Sequence, residues 1–146
     1  MSVYHYTECG LDNVYLHNIQ IVSDIKGDET IKIPRINQLH NLIAQCLLDK
    51  KGVLSGSEIR FLRTNVGLLQ TELSSLLGKE AQAVGRWERG EHPIDRTTDT
   101  LLRILISEKM GLDKKVDAIS ELNSFSAAND NINIDGAGKE YAIMAA

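Results

Sequence analysis

Residues 67–91 read GLLQTELSSLLGKEAQAVGRWERGE. Leu69, Leu73, Leu76 and Leu77 recur at the spacing of one helical face, which predicts a helix over about Gln70–Leu77. Gly78 follows, and glycine admits the left-handed backbone that closes a helix. A second short helix is expected over about Glu80–Arg89. At about 100° per residue, Ala83, Val84 and Trp87 share one side and point to Leu73, Leu77 and a following helix. Gln82 and Arg86, four apart, share another side, with Gly85 near them.

Two short helices joined at Gly78 make a helix-turn-helix pattern. Its outward flank would offer an amide, a guanidinium and, at Gly85, bare backbone. In a major groove, Gln pairs with adenine N6/N7 and Arg with guanine O6/N7, each worth about 1–3 kcal/mol of discrimination. Gln82 and Arg86 are therefore the expected base contacts, with Ala81 beside them; the rival reading is a plain solvated face. Gln70 and Thr71 open the first helix, where N–H groups and polar side chains suit a phosphate, and Lys79 in the turn adds charge. Arg89 is left between a phosphate contact and pairing with Glu88 or Glu91. Glu80 supplies favourable charge at a helix start or accepts from a cytosine amine, the first being the expected role. Trp87 is read as core.

Working outward, Ser55-Gly56-Ser57-Glu58 has the spacing of a capping box ahead of a helix through Ile59, Leu62 and Val66, closed by Gly67. After Pro93 and Ile94, a helix over about Arg96–Glu108 turns Leu102, Leu105 and Ile106 inward. Before the capping box, residues 3–33 alternate with period two (VYHY, VYLHNIQIVSDI, TIKI), which predicts strands, with a hairpin connection at Lys26-Gly27-Asp28. Pro34 ends that pattern. Ile36, Leu39, Ile43, Cys46 and Leu47 then mark one face of a helix over 36–49 that stops at Lys50-Lys51-Gly52. Beyond Gly111, a short helix over 113–122 would turn Val116, Ile119 and Leu122 to one side. A linker over 124–131 and a terminal hairpin through INID, GAG and KEYAI follow. The expected organisation is α+β: a β-plus-helix unit over 1–54, an all-helical domain over 55–109, and an extension over 110–146.

The chain has 146 residues and a formal charge of −4, so it is no polybasic coat for nucleic acid. The balance is uneven. Residues 57–109 carry eight basic and eight acidic groups, whereas 110–146 carry three and six. Cys9 and Cys46 are too few and too far apart for a disulfide framework, which fits a reducing, cytoplasmic location. MSVYHYTECG lacks the apolar stretch of a signal peptide, and no run is long enough to span a bilayer, so no membrane partner is expected.

The stretch 67–91 resembles the Xre/Cro-type helix-turn-helix, whose pattern is GLSQxELAxxLGVSxxTVxRWExG. Gly67, Leu68, Gln70, Glu72, Leu73, Leu77, Gly78, Val84, Arg86, Trp87, Glu88 and Gly90 match. Leu69 and Glu80 depart from it, standing where that pattern has Ser or Thr at helix starts. The resemblance implies a lambda-repressor-like helical domain in which Gln70 touches phosphate and Gln82 and Arg86 read bases. YHYTECGLDNVYL, with LSGSEIRFLRTNVGL further on, is similar to the MqsA/YgiT-type antitoxins and regulators. There a β-containing unit precedes the DNA-binding domain. The paired CxxC motifs that hold zinc in many members are absent, which places the likeness with the zinc-less variants.

No metal or other cofactor is expected. His5 and Cys9 do not converge on a strand end, and His40 and Cys46 lie about 120° apart on a helix. No phosphate-binding glycine loop or nucleophile–base set is apparent, so catalysis is not expected. Two readings remain. In one, the chain is a sequence-specific transcriptional regulator: a homodimer on a palindromic duplex operator, and the antitoxin of a type II pair that autoregulates its operon. Leu101, Ile104 and the 113–122 segment are its candidate dimer surfaces. In the other, it is an interaction module whose first unit binds a toxin or another protein, with the helices as scaffold.

Overall fold

The computed structural model describes residues 3–23, 26–27, 29–126 and 130–144. It is α+β, and the chain divides into two compact units, one of residues 1–43 with 129–146, the other of 44–128. The expected borders at 54 and 109 do not coincide with this division. The 110–146 segment is split between the units because its strands pair with the first strands of the chain.

In the first unit, β1 (Val3–His5), β2 (Val14–His17), β5 (Ile132–Asp135) and β6 (Ala142–Ile143) form a sheet in the order β1-β2-β5-β6. β1–β2 and β5–β6 are antiparallel, whereas β2–β5 is parallel, with Val14 opposite Ile132 and Leu16 opposite Ile134. Alternation does what the period-two pattern predicts: Val14, Leu16 and Ile134 are fully buried, and Tyr15, His17 and Asn133 turn the other way, half-buried. Asn13 anchors the join by donating from Nδ2 to Asp130 O at 2.7 Å, and His17 Nε2 lies 2.8 Å from Asn133 Oδ1. β3 (Gln20–Ser23) and β4 (Glu29–Lys32) form a separate antiparallel pair. Their expected hairpin connection falls partly outside the described residues, though Gly27 carries the positive φ of a turn. Helix α1 (Ile36–Leu48) crosses the division, with residues 36–43 in the first unit and 44–48 in the second; Leu39, Ile43 and Leu47 are buried and Cys46 half-buried, as the face predicts. Ile36 is exposed, being the first helical residue.

The second unit holds α2 (Gly56–Asn65), α3 (Gln70–Leu76), α4 (Ala83–Glu88), α5 (Arg96–Lys109) and α6 (Val116–Leu122). Ser55 and Glu58 form the predicted reciprocal cap: Glu58 N–H donates to Ser55 Oγ, and Ser55 N–H to Glu58 Oε1. Gly56 is the close-approach residue. A Cβ there would lie 2.3 Å from Trp87 O and 2.8 Å from Glu88 O, so the start of α2 abuts the last carbonyls of α4. Ile59, Leu62, Leu73, Val84, Leu102, Ile106 and Ile119 fill the core, with Trp87 against it. Leu105 is half-buried rather than inward. Val116 is exposed, because α6 is anchored through Ile119 alone of the three apolar residues expected to turn in together. Leu122 is half-buried.

Candidate nucleic-acid interface

Helix α3 begins without a side-chain cap. Leu69 occupies the cap position, exposed, and its N–H is taken by Glu72 Oε1 at 2.8 Å, which recovers half of a capping box. Leu76 is exposed as well, so Leu73 and Leu77 alone of the four periodic leucines reach the core; seven residues give the helix too little face to bury more. The helix closes as the glycine predicts. Gly78, at φ 69°, donates to Ser75 O, and Lys79 N–H to Ser74 O at 2.8 Å, the paired bonds of a Schellman motif.

The next helix is shorter than the sequence suggests. It begins at Ala83 instead of about Glu80, because residues 80–83 close a tighter turn through Ala83 N–H to Glu80 O at 3.0 Å. Gln82 stands at the cap position in helical conformation and makes no side-chain cap. The buried hydroxyl of Ser74 does that work from α3, accepting Val84 N–H at 3.2 Å and lying 3.4 Å from Ala81 O. Arg86 N–H donates to Gln82 O, so Gln82 and Arg86 keep the one-turn relation the spacing implies.

The inner side of α4 is fixed by charge as well as by Val84 and Trp87. Glu88, almost wholly buried, accepts Arg63 Nε at 2.7 Å and Arg63 Nη2 at 3.0 Å. Arg63 Nη1 donates onward to Leu68 O at 2.8 Å, and Gln70 Nε2 donates to Glu88 Oε1 at 3.0 Å. This fork ties α2, α3 and α4 together. It was not foreseen, because Arg63 and Glu88 are 25 residues apart; the arginine in a helix otherwise turned to the core was the available signal.

The expectation for Gly85 does not hold. Gly85 is not bare backbone on the outer flank: it is buried under the side chains of Gln70 and Arg89, and a Cβ would meet Gln70 Oε1 at 3.2 Å and Arg89 Nη1 at 3.1 Å. Gln70 is half-buried with its amide nitrogen held by Glu88, so its first role is to brace α4.

The remaining site residues stand outward. Ala81, Gln82, Thr71 and Lys79 are exposed. Arg86 is 43% exposed at its side chain, and its Nη1 lies 3.8 Å from Glu80 Oε2, itself 80% exposed. Arg89 pairs with Glu91 rather than Glu88. The same contact holds the Glu91 carboxyl below its ordinary pKa. Ala81, Gln82, Lys79 and Arg89 are thus exposed, and Arg86 and Gln70 half-exposed.

His5 and His40 have partners within the first unit. His5 stacks on Tyr15, and its Nε2 lies 2.6 Å from Asp12 O. Tyr6 OH lies 2.7 Å from His40 Nε2, and burial lowers the pKa of His40. Burial also pushes the Cys46 thiol up to about 11. Among the described residues no group of three or more His, Cys, Asp or Glu is placed to hold a metal ion. No described helix is long and apolar enough to cross a membrane. No protein-family model, curated protein or solved structure matches the chain.

Proposed function

We propose that the chain is a sequence-specific DNA-binding transcriptional regulator of the Xre/Cro helix-turn-helix type, with α3 and α4 as the two helices of the motif. The observation that carries this reading is the two-sided α4. One side is locked by Val84, Trp87 and the Arg63–Glu88–Gln70 fork; on the other, Gln82 is exposed and Arg86 half-exposed, and among the described residues the one charged partner of Arg86 is Glu80 at 3.8 Å. A short helix held rigidly from behind, with an amide and a guanidinium one turn apart, is suited to base edges in a major groove. Lys79 and Thr71 supply a cation and a hydroxyl for phosphate, and Arg89 joins them once Glu91 is displaced.

A single head with a balanced overall charge binds weakly, so the regulator acts as a homodimer on two half-sites about one helical turn apart. The exposed Leu101, with Ile104 and Val116 beside it in a groove between α5 and α6, offers the apolar surface such a dimer needs. By the resemblance to MqsA/YgiT-type proteins, the regulator is the antitoxin of a type II pair and autoregulates its operon. A gel shift at fixed salt with the duplex upstream of its own gene tests this. Retention of that duplex over a scrambled one supports it, and equal binding to both, or none to either, refutes it.

A further inference from the structure

We infer that Glu80 is a specificity-determining residue of this face, whose carboxylate accepts from the N4 amine of a cytosine and penalises a duplex that lacks an amine at that place. The inference rests on the DNA-binding reading above. Sequence alone favours a structural role for Glu80 as a negative charge at a helix start. The geometry removes that role. Helix α4 starts three residues later, its buried Val84 N–H is satisfied by Ser74 Oγ, and the Glu80 side chain is 80% exposed. Among the described residues its one charged partner is Arg86, at 3.8 Å, beyond hydrogen-bond reach.

An ionised carboxylate is an acceptor only. Brought against a duplex it meets phosphate repulsion and loses water, and both count against binding unless a donor replaces the water. In the major groove the donor that suits Glu is the cytosine amine. Its distance from Arg86 adds a constraint. Arg86 is the guanine reader of this surface, and successive bases on one strand are about 3.4 Å apart along the axis. A carboxylate 3.8 Å from that guanidinium is therefore placed for the cytosine of the same G·C pair or of the pair next to it. Glu80 costs affinity on random sequence and returns it where that cytosine is present, which is how an acidic group sharpens a basic reading surface.

Selection from a randomised duplex pool at fixed salt tests this with wild type, Arg86→Ala, Glu80→Ala and Glu80→Gln. The wild type is expected to select a cytosine within one base pair of the guanine whose selection is lost in Arg86→Ala. Glu80→Ala should lower the preference for that cytosine by about tenfold, leave other positions as they were, and bind scrambled duplex more tightly. Glu80→Gln should move the preference towards adenine, the base an amide reads. The thermal midpoint of both Glu80 variants should match the wild type, which separates recognition from folding. If Glu80→Ala selects the same cytosine as strongly, or wild type selects a sequence with no cytosine there, the role assigned to Glu80 is wrong while DNA binding stands. If wild type selects no sequence, the DNA-binding reading falls and this inference with it.

Discussion

Arg103 and Arg86 lie on consecutive helices and meet opposite surroundings. Arg103 has no exposed side-chain surface. Its Nη1 donates to Lys50 O at 2.7 Å, its Nη2 to Gly52 O, and its Nε lies 3.0 Å from Asp99 Oδ2. Asp99, equally buried, also accepts Leu54 N–H at 2.9 Å and Asn123 Nδ2 at 2.9 Å. Asn123 in turn is bonded to Arg96 and Thr100, so one network pins the 48–54 loop and α6 onto α5. Burial lowers the Arg103 pKa, and the adjacent Asp99 carboxylate opposes that shift. Arg86 has one exposed ion pair, a type of contact worth about 0–1 kcal/mol. The same side chain is structural where buried backbone carbonyls and a carboxylate hold it, and available for a ligand where its one ion pair is exposed.

The largest expected effect breaks the buried side of this comparison. Asp99→Ala leaves a guanidinium uncompensated in the core and should cost about 3–5 kcal/mol in urea unfolding. Arg86→Ala should stay within about 0.5 kcal/mol of wild type. Similar losses for the two would erase the distinction between the regions.

A second contrast sharpens it through glycine. Gly56→Ala forces a Cβ onto the Trp87 and Glu88 carbonyls, which are backbone and cannot swing aside, and should cost about 1–3 kcal/mol. Gly85→Ala meets only the tips of Gln70 and Arg89 at 3.1–3.2 Å, and alanine favours a helix by about 1 kcal/mol over glycine, so it should be nearly neutral. Thermal midpoints of the two variants check this, and equal destabilisation would show that α4 is enclosed on both sides.

Legibility followed the range of the contacts. The capping box at Ser55–Glu58, the Gly78 turn and the burial of Trp87 depend on residues a few places apart, and each could be read directly from the sequence. The leucine count on α3 was over-read, since a seven-residue helix with exposed Leu69 and Leu76 has only two core positions. Alternation marked β2 and β5 as strands but carried no information about their parallel pairing, which joins residues 118 apart in sequence, as in Val14 with Ile132. In the candidate site, helical spacing alone put Gln82 and Arg86 on one outward side, whereas Lys79 was legible as a turn residue after Gly78. The bracing by Ser74, Arg63 and Glu88 was not legible, because each is a polar residue whose partner lies on another helix.

A smaller effect concerns the start of α5. Asp95 caps it by accepting the Thr98 hydroxyl and the Thr98 N–H at 3.1 Å, and these bonds hold its carboxyl below its ordinary pKa of 3.8. The stabilisation is therefore present in full above about pH 4 and is lost as pH falls through the lowered folded-state value. Asp95→Ala should cost about 1 kcal/mol at neutral pH, Asp95→Asn much less. The gap between Asp95→Ala and wild type should close in acid, as followed by urea midpoints across pH 2–7. A gap that stayed constant into acid would show that the carboxylate is not what caps the helix.

The central claim is that the outward side of α4 binds a ligand while its inward side holds the fold. Fluorescence anisotropy of the Gln82→Ala/Arg86→Ala double variant on the duplex upstream of its own gene, at one salt concentration, tests this most directly. Loss of two base contacts predicts affinity down by about thirtyfold or more with an unchanged urea midpoint. Affinity equal to wild type would contradict the claim.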